Sequence, residues 1–122
     1  MTPNISIDEK LPLTESTFLI LLSLAPGPRH GYAIMKDVAA LSHERVQLST
    51  GTLYGALKRL LAEGWIRHAT EDLPPEADAD APGRPRRYYA LTDRGRRLLE
   101  AETGRLQSLA VVAQLRVWEM KA

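Results

Sequence analysis

A chain of 122 residues with 44% apolar residues, 25% charged residues and a net charge of +1 is long enough for one domain with a buried core, and too ordinary in composition for general disorder. The absence of cysteine excludes a disulfide framework, a zinc–thiolate site and a cysteine nucleophile. No apolar run is longer than Phe18 to Leu22, which is far too short to span a membrane. Asp8 and Glu9 ahead of it, with Lys10 as the only base, do not make the basic start of a secretory signal, so the expected setting is the cytoplasm, away from membranes.

Residues 1–12, with Pro3 and Pro12 and no periodicity, read as a loose N-terminal arm. Thr14 to Ala25 reads as a first helix with Phe18, Leu19 and Leu22 on its buried face, ended by Pro26-Gly27-Pro28. His30 to Leu41 follows as a second helix, with Ile34, Met35, Val38 and Leu41 turned inward, and residues 42–48 form a turn. Ser49 to Glu63 is the third helix. Leu53, Leu57, Leu60 and Leu61 recur at helical spacing, Ser49, Thr50, Gly51 and Thr52 open it, and Gly64 stands where a helix commonly stops.

Two short strand-like runs come next, Trp65 to Thr70 and Arg86 to Leu91, joined by residues 71–85. Pro74-Pro75 and the Asp/Ala alternation mark that connection as solvated, and its length suits a wing better than a tight hairpin turn. The small total charge hides a strong local asymmetry. Residues 70–83 carry five acids and no base, whereas residues 84–97 carry six arginines against Asp93. A local basic patch is what a polyanion meets.

From Thr92, an N-cap with Asp93 behind it, the chain reads as helical to about Met120. Leu99, Leu106, Ala113 and Met120 recur every seven residues, with Leu109, Ala110 and Val117 beside them. A helix of roughly 28 residues is about 42 Å long, more than a three-helix core can cover. The surplus stripe is therefore expected to meet a second copy, with Leu99, Leu106, Leu109, Ala113, Val117 and Met120 as the dimer seam. Gly104 weakens the middle of this helix.

The expected fold is mainly α with a small β-hairpin: a winged helix-turn-helix over residues 13–91 and a C-terminal dimerisation helix over residues 92–122. In such a fold the start of the third helix meets base edges and phosphates. The candidate DNA-binding residues on it are Ser49, Thr50, Gly51, Thr52, Tyr54 and Lys58, with Tyr54 and Lys58 placed opposite the leucine face. Unpaired N–H groups at a helix start suit phosphate oxygens. The competing reading makes the hydroxyls plain caps and Lys58 and Arg59 solvated charges. On the wing, Arg84, Arg86 and Arg87 suit a narrow minor groove or a phosphate. Of Tyr88 and Tyr89, on opposite faces of a strand, one is expected in the core. Arg94, Arg96 and Arg97 read as helix-surface charges. His30, His43 and His68 show no metal-ligand spacing, and neither a nucleophile–base pair nor a phosphate-cradling glycine loop is present, so no metal, cofactor or enzyme activity is expected.

The strings HGY at 30–32, GTLYGALKRLLAEGWI at 51–66 and GRPRRYYALT at 83–92 resemble those of the PadR family of transcriptional regulators. The resemblance runs from about Leu13 to Gly95, and the last helix matches in pattern rather than in letters. It implies a homodimeric repressor of double-stranded DNA, of the branch with a single C-terminal helix, acting on a pseudo-palindromic operator. A protein-interaction adapter that keeps the fold without binding DNA is the alternative. The resemblance also implies that Tyr32 lies near the DNA backbone, against the competing reading that it packs under the third helix. Family members often carry proline where this chain has Thr50 and Gly55, and their wing is shorter than the acidic stretch at 71–81. That stretch is read either as an inert solvated loop or as a shield over Arg84. Some relatives sense planar drugs through an aromatic residue on the long helix. This chain has Leu106 there and Trp118 near the helix end, which leaves a small-molecule inducer unidentified.

Overall fold

Each main helix starts at a side chain that the local sequence supplies as a cap. In the computed structural model, which describes residues 5–69 and 87–121, Thr14 Oγ1 accepts the Thr17 N–H at 3.2 Å, His30 Nδ1 accepts that of Ala33 at 3.1 Å, and Ser49 Oγ accepts that of Thr52 at 3.1 Å. These caps open α2 (Glu15–Ser23), α3 (Gly31–Leu41) and α4 (Thr50–Ala62). A single turn, α1 (Ile7–Lys10), precedes them, and α5 (Asp93–Lys121) closes the chain. At the end of α4, Gly64 takes φ +80°, a left-handed conformation that glycine adopts without a Cβ penalty.

The connection between α3 and α4 is tied by Ser42. Its hydroxyl donates to the Val38 carbonyl at 2.9 Å, and its oxygen accepts the Val46 N–H at 2.9 Å. His43 and Glu44 both take positive φ here, so the chain reverses tightly and brings the start of α4 beside α3.

The β structure has three strands, one more than the sequence reading supplied. β2 (Ile66–His68) and β3 (Tyr88–Leu91) form the expected antiparallel pair, with Arg67 opposite Ala90. β1 (Arg29–His30) adds to the other edge of β3, with Arg29 opposite Tyr89 and His30 opposite Tyr88. The order is β1-β3-β2. Because β3 is central, both of its tyrosines are buried, Tyr88 at 8% exposure and Tyr89 at 3%, and not one of the pair. The His30 ring meets Tyr88 edge-on, 5.4 Å between centroids.

The core lies where α2, α3 and α4 meet the sheet and the first turns of α5: Ile20, Leu21, Ile34, Val38, Leu53, Leu57, Leu60, Trp65 and Leu98 are fully enclosed. A Cβ on Gly95 would collide with the Trp65 carbonyl, so only glycine lets α5 lie this close to β2. Thr92 completes the joint. Its hydroxyl donates to the Gly64 carbonyl at 2.6 Å and accepts the Gly95 N–H at 3.0 Å.

Several expectations need correction. The arm is docked from residue 5 onward: Ser6 caps α1, Ile5, Ile7 and Leu11 pack against the core, and Lys10 pairs with Glu63 at 2.8 Å. Leu41 is exposed, because α3 ends there and its side chain passes beyond the core. Arg94 is no surface charge. It lies 4.0 Å over the Trp65 ring, donates to the Glu63 carbonyl at 2.6 Å, and also donates to the Ile5 carbonyl. Leu99, expected to start the dimer seam, is buried in the protomer's own core, since α5 stays on the body until about Arg105. The helix runs on through Gly104 to Lys121.

Candidate nucleic-acid interface

Leucine spacing decides which side of α4 faces out. With Leu53, Leu57 and Leu60 buried, Gly51, Gly55, Lys58 and Ala62 are left on the solvent side. Ser49, Thr50 and Thr52 stand exposed at the N-terminus. The Ser49 hydroxyl donates to Thr52 Oγ1 at 2.9 Å while capping the helix, so these two hydroxyls form one local unit. Thr50 and Gly51 flank the helix start with its unpaired N–H groups, which favour an anion. Lys58 is exposed and makes no ion pair among the described residues.

Tyr54 is not opposite the leucine face. It lies on the flank toward α3, half exposed, with its ring tip over Gly31 where a Cβ would overlap the hydroxyl. Gly31 therefore shapes the contact between the two helices. Tyr32 is 60% exposed, which rules out the reading that packs it under α4. Its ring lies parallel to that of His30, at 11° and 6.5 Å, and Lys36 Nζ is 5.5 Å from its centroid. Tyr32, Met35, Lys36, Ala39, Glu44, Gln47 and Leu48 line a shallow cavity of about 190 Å³ between α3 and the turn leading to α4. Lys36 and Gln47 were missed in the sequence. Lys36 is four residues beyond Tyr32 on the same helix face, a signal that could have found it.

Arg87 is exposed immediately ahead of β3. Arg84, Arg86 and the acidic stretch 71–81 lie outside the described residues. The exposed bases among the described candidates are thus Lys36 on α3, Lys58 on α4 and Arg87 just ahead of β3.

Away from this surface, the tail of α5 is apolar on two sides. Leu106, Leu109, Ala113, Val117 and Met120 form the expected row, all exposed. Val111, Leu115 and Trp118, at i, i+4 and i+7, form a second exposed row that the seven-residue count did not single out. Ala110, Ala113, Gln114, Val117, Trp118 and Lys121 border a groove of about 400 Å³. Among the described residues, no helix is long and apolar enough to cross a membrane.

Comparison with known proteins places this arrangement. The model of the transcriptional regulator PadR-like family matches residues 20–101. A PadR family transcription regulator from Clostridium difficile R20291 is 26% identical, with a TM-score of 0.66 over 85% of this chain and 99% of that one. Bacillus subtilis PadR, in a structure with operator DNA, shares the fold at 24% identity and a TM-score of 0.53, over 70% of this chain and 44% of that one. An uncharacterized 37.1 kDa protein of a Streptomyces fradiae transposon is 38% identical over 96 residues, 79% of this chain. The match spans about a quarter of that relative's length, 24%.

Proposed function

Because this chain belongs to the PadR-like family of transcriptional regulators, we propose that it binds double-stranded operator DNA as a homodimer and represses transcription from the sites it occupies. The observation that carries the reading is the outward face of α4. Its unpaired N-terminal N–H groups, Thr50, Gly51 and Lys58, which has no ion pair among the described residues, face solvent while the leucines opposite them anchor the helix in the core. Residues 13–91 are the DNA-binding unit, residues 92–122 the dimerisation helix, and residues 1–12 an N-terminal arm.

In this reading α4 enters the major groove. Its first turn touches phosphates and base edges, Tyr32 and Lys36 reach the neighbouring backbone, and Arg84, Arg86 and Arg87 extend the contact from the wing. The exposed apolar tail supports the dimer, since rows of this length rarely stay uncovered on a soluble chain. Two copies then present two α4 helices to a pseudo-palindrome whose half-sites lie about 34–36 Å apart, or a multiple of that. A planar small-molecule inducer would lie in the groove beside Val117 and Trp118.

The test uses duplexes that the purified protein selects from a random-sequence pool, with binding followed by fluorescence anisotropy across a salt series. Affinity is expected to fall linearly in log–log form with salt. Lys58→Ala is expected to weaken selected and unrelated duplexes alike and to reduce the slope by about two, one for each protomer. If no duplex is retained even at low salt, the DNA reading fails and the adapter takes its place.

A further inference from the structure

The long helix is fastened to the DNA-reading body at two points along its axis, and both fastenings use the N-terminal segment. At the first turn of α5, Arg94 makes three contacts with two distant segments. Its guanidinium lies 4.0 Å over the Trp65 ring, donates to the Glu63 carbonyl at 2.6 Å where α4 ends, and donates to the Ile5 carbonyl ahead of α1. Two turns further on, Glu102 is 1% exposed, although it is a carboxylate. It accepts the Leu13 N–H at 2.8 Å, just ahead of α2, and is held by Arg105 from its own helix. Between these points Lys10 of the same segment pairs with Glu63, whose carboxylate also accepts the Trp65 indole N–H at 2.8 Å. Past Arg105 every described residue of α5 is exposed.

Two fixed points about 12 Å apart define the direction of a rod, as one point cannot. From this geometry we infer that Arg94 and Glu102 are positioning residues that set the angle between α4 and α5, and through it the half-site spacing that the dimer accepts. The spacing part rests on the DNA-binding dimer proposed above; the angle part does not. Leverage makes the angle matter. From Glu102 to Lys121 the helix extends on the order of 28 Å, so a 10° tilt at the clamp moves its far end by about 5 Å. That displacement exceeds the 3.4 Å rise of one DNA base pair. A buried carboxylate that spends one oxygen on a backbone N–H 89 residues away is suited to such a role, since burial makes the bond costly to break.

The test reads the angle first. The native chain has no cysteine, so Gly55→Cys on α4, where an added side chain meets open space, and Gln114→Cys on the exposed tail make a unique spin-label pair. Labelled protein is diluted into unlabelled protein, so that pulsed dipolar spectroscopy reports the distance within one protomer. A single narrow distance is expected for the parent. Arg94→Lys, which keeps the charge but cannot span both carbonyls, and Glu102→Ala are each expected to broaden or shift it by several ångströms below their unfolding temperatures. Glu102→Gln, which keeps an acceptor for Leu13, is expected to restore it. Folded variants that keep the parent distance overturn the inference.

The second reading is affinity for the selected duplex with one or two central base pairs inserted or deleted. The clamp variants are expected to flatten the spacing profile more than they lower the best affinity. Uniform loss at every spacing overturns the spacing role and leaves only a stability role. If the parent binds no duplex, the proposed function fails, while the distance measurement still decides the clamp.

Discussion

Gly31 and Gly95 show how two residues of one type carry different consequences. At Gly31 an added methyl meets the tip of Tyr54, which can swing away. At Gly95 it meets the Trp65 carbonyl, which is backbone and cannot. Gly31→Ala is therefore expected to keep the fold, with a melting temperature within a few degrees of the parent, yet to displace Tyr54 and lower DNA affinity severalfold. Gly95→Ala is expected to cost about 1–3 kcal/mol through overpacking at the α5 joint, seen as a lowered midpoint in urea. A third residue-scale expectation concerns acid. Arg105 and the Leu13 N–H hold the Glu102 carboxyl below its ordinary range against the opposing effect of burial. At Glu63 burial is the largest influence and pushes the carboxyl up, but the hydrogen bonds from Lys10 and Trp65, together with the charges of Lys10 and Arg59, outweigh it, so the group also sits low. A carboxyl lowered in the folded state contributes stability that is complete above its unfolded value, about 4.3, and is lost as pH falls through the lowered one. Thermal unfolding followed between pH 6 and pH 3 is expected to show that loss below about pH 4, with a shallower decline in Glu102→Gln.

Elements were legible in the sequence to the extent that they are specified locally. The starts of α2, α3, α4 and α5 follow from Thr14, His30, Ser49 and Thr92, each of which caps the turn beside it. Leucine spacing likewise identified the buried face of α4. What the sequence did not reveal depends on distant partners. The two residues of β1 form a strand because β3 lies alongside them, and α1 is a single turn that holds its place through Lys10 and the packing of Ile7 and Leu11. The same holds for Arg94, whose helical neighbours suggest a surface charge and whose three partners lie 29 to 89 residues away. Within the candidate site, hydroxyl and glycine residues at the start of α4 stood out, whereas the placement of Tyr54 against Gly31 needed the crossing of two helices. Thr92 offers a direct test at this scale. It bonds at once to the turn after α4 and to the first turn of α5, so Thr92→Ala is expected to cost about 1–2 kcal/mol, measured by chemical denaturation.

At the scale of the whole molecule, the chain divides into a body that buries its apolar residues and a tail that shows them. Leu109 and Val117 are both about half exposed on the projecting tail and make no contribution to the enclosed core. Leu109→Lys together with Val117→Glu is expected to leave the melting transition of the body intact and to convert the proposed dimer to monomer by light scattering. If that double variant stays dimeric, the seam lies elsewhere, and the row of Val111, Leu115 and Trp118 is the next surface to charge.

As the seam of the dimer proposed above, such a tail would also make the amount of protein a signal. Wherever protomers are scarcer than their pairing constant, assembled readers accumulate with the square of chain concentration, so halving synthesis would leave about a quarter of them. Single protomers would meanwhile carry bare aliphatic and indole surface of the sort that quality-control proteases engage. Regulation by such a molecule would switch off more steeply than its own synthesis declines.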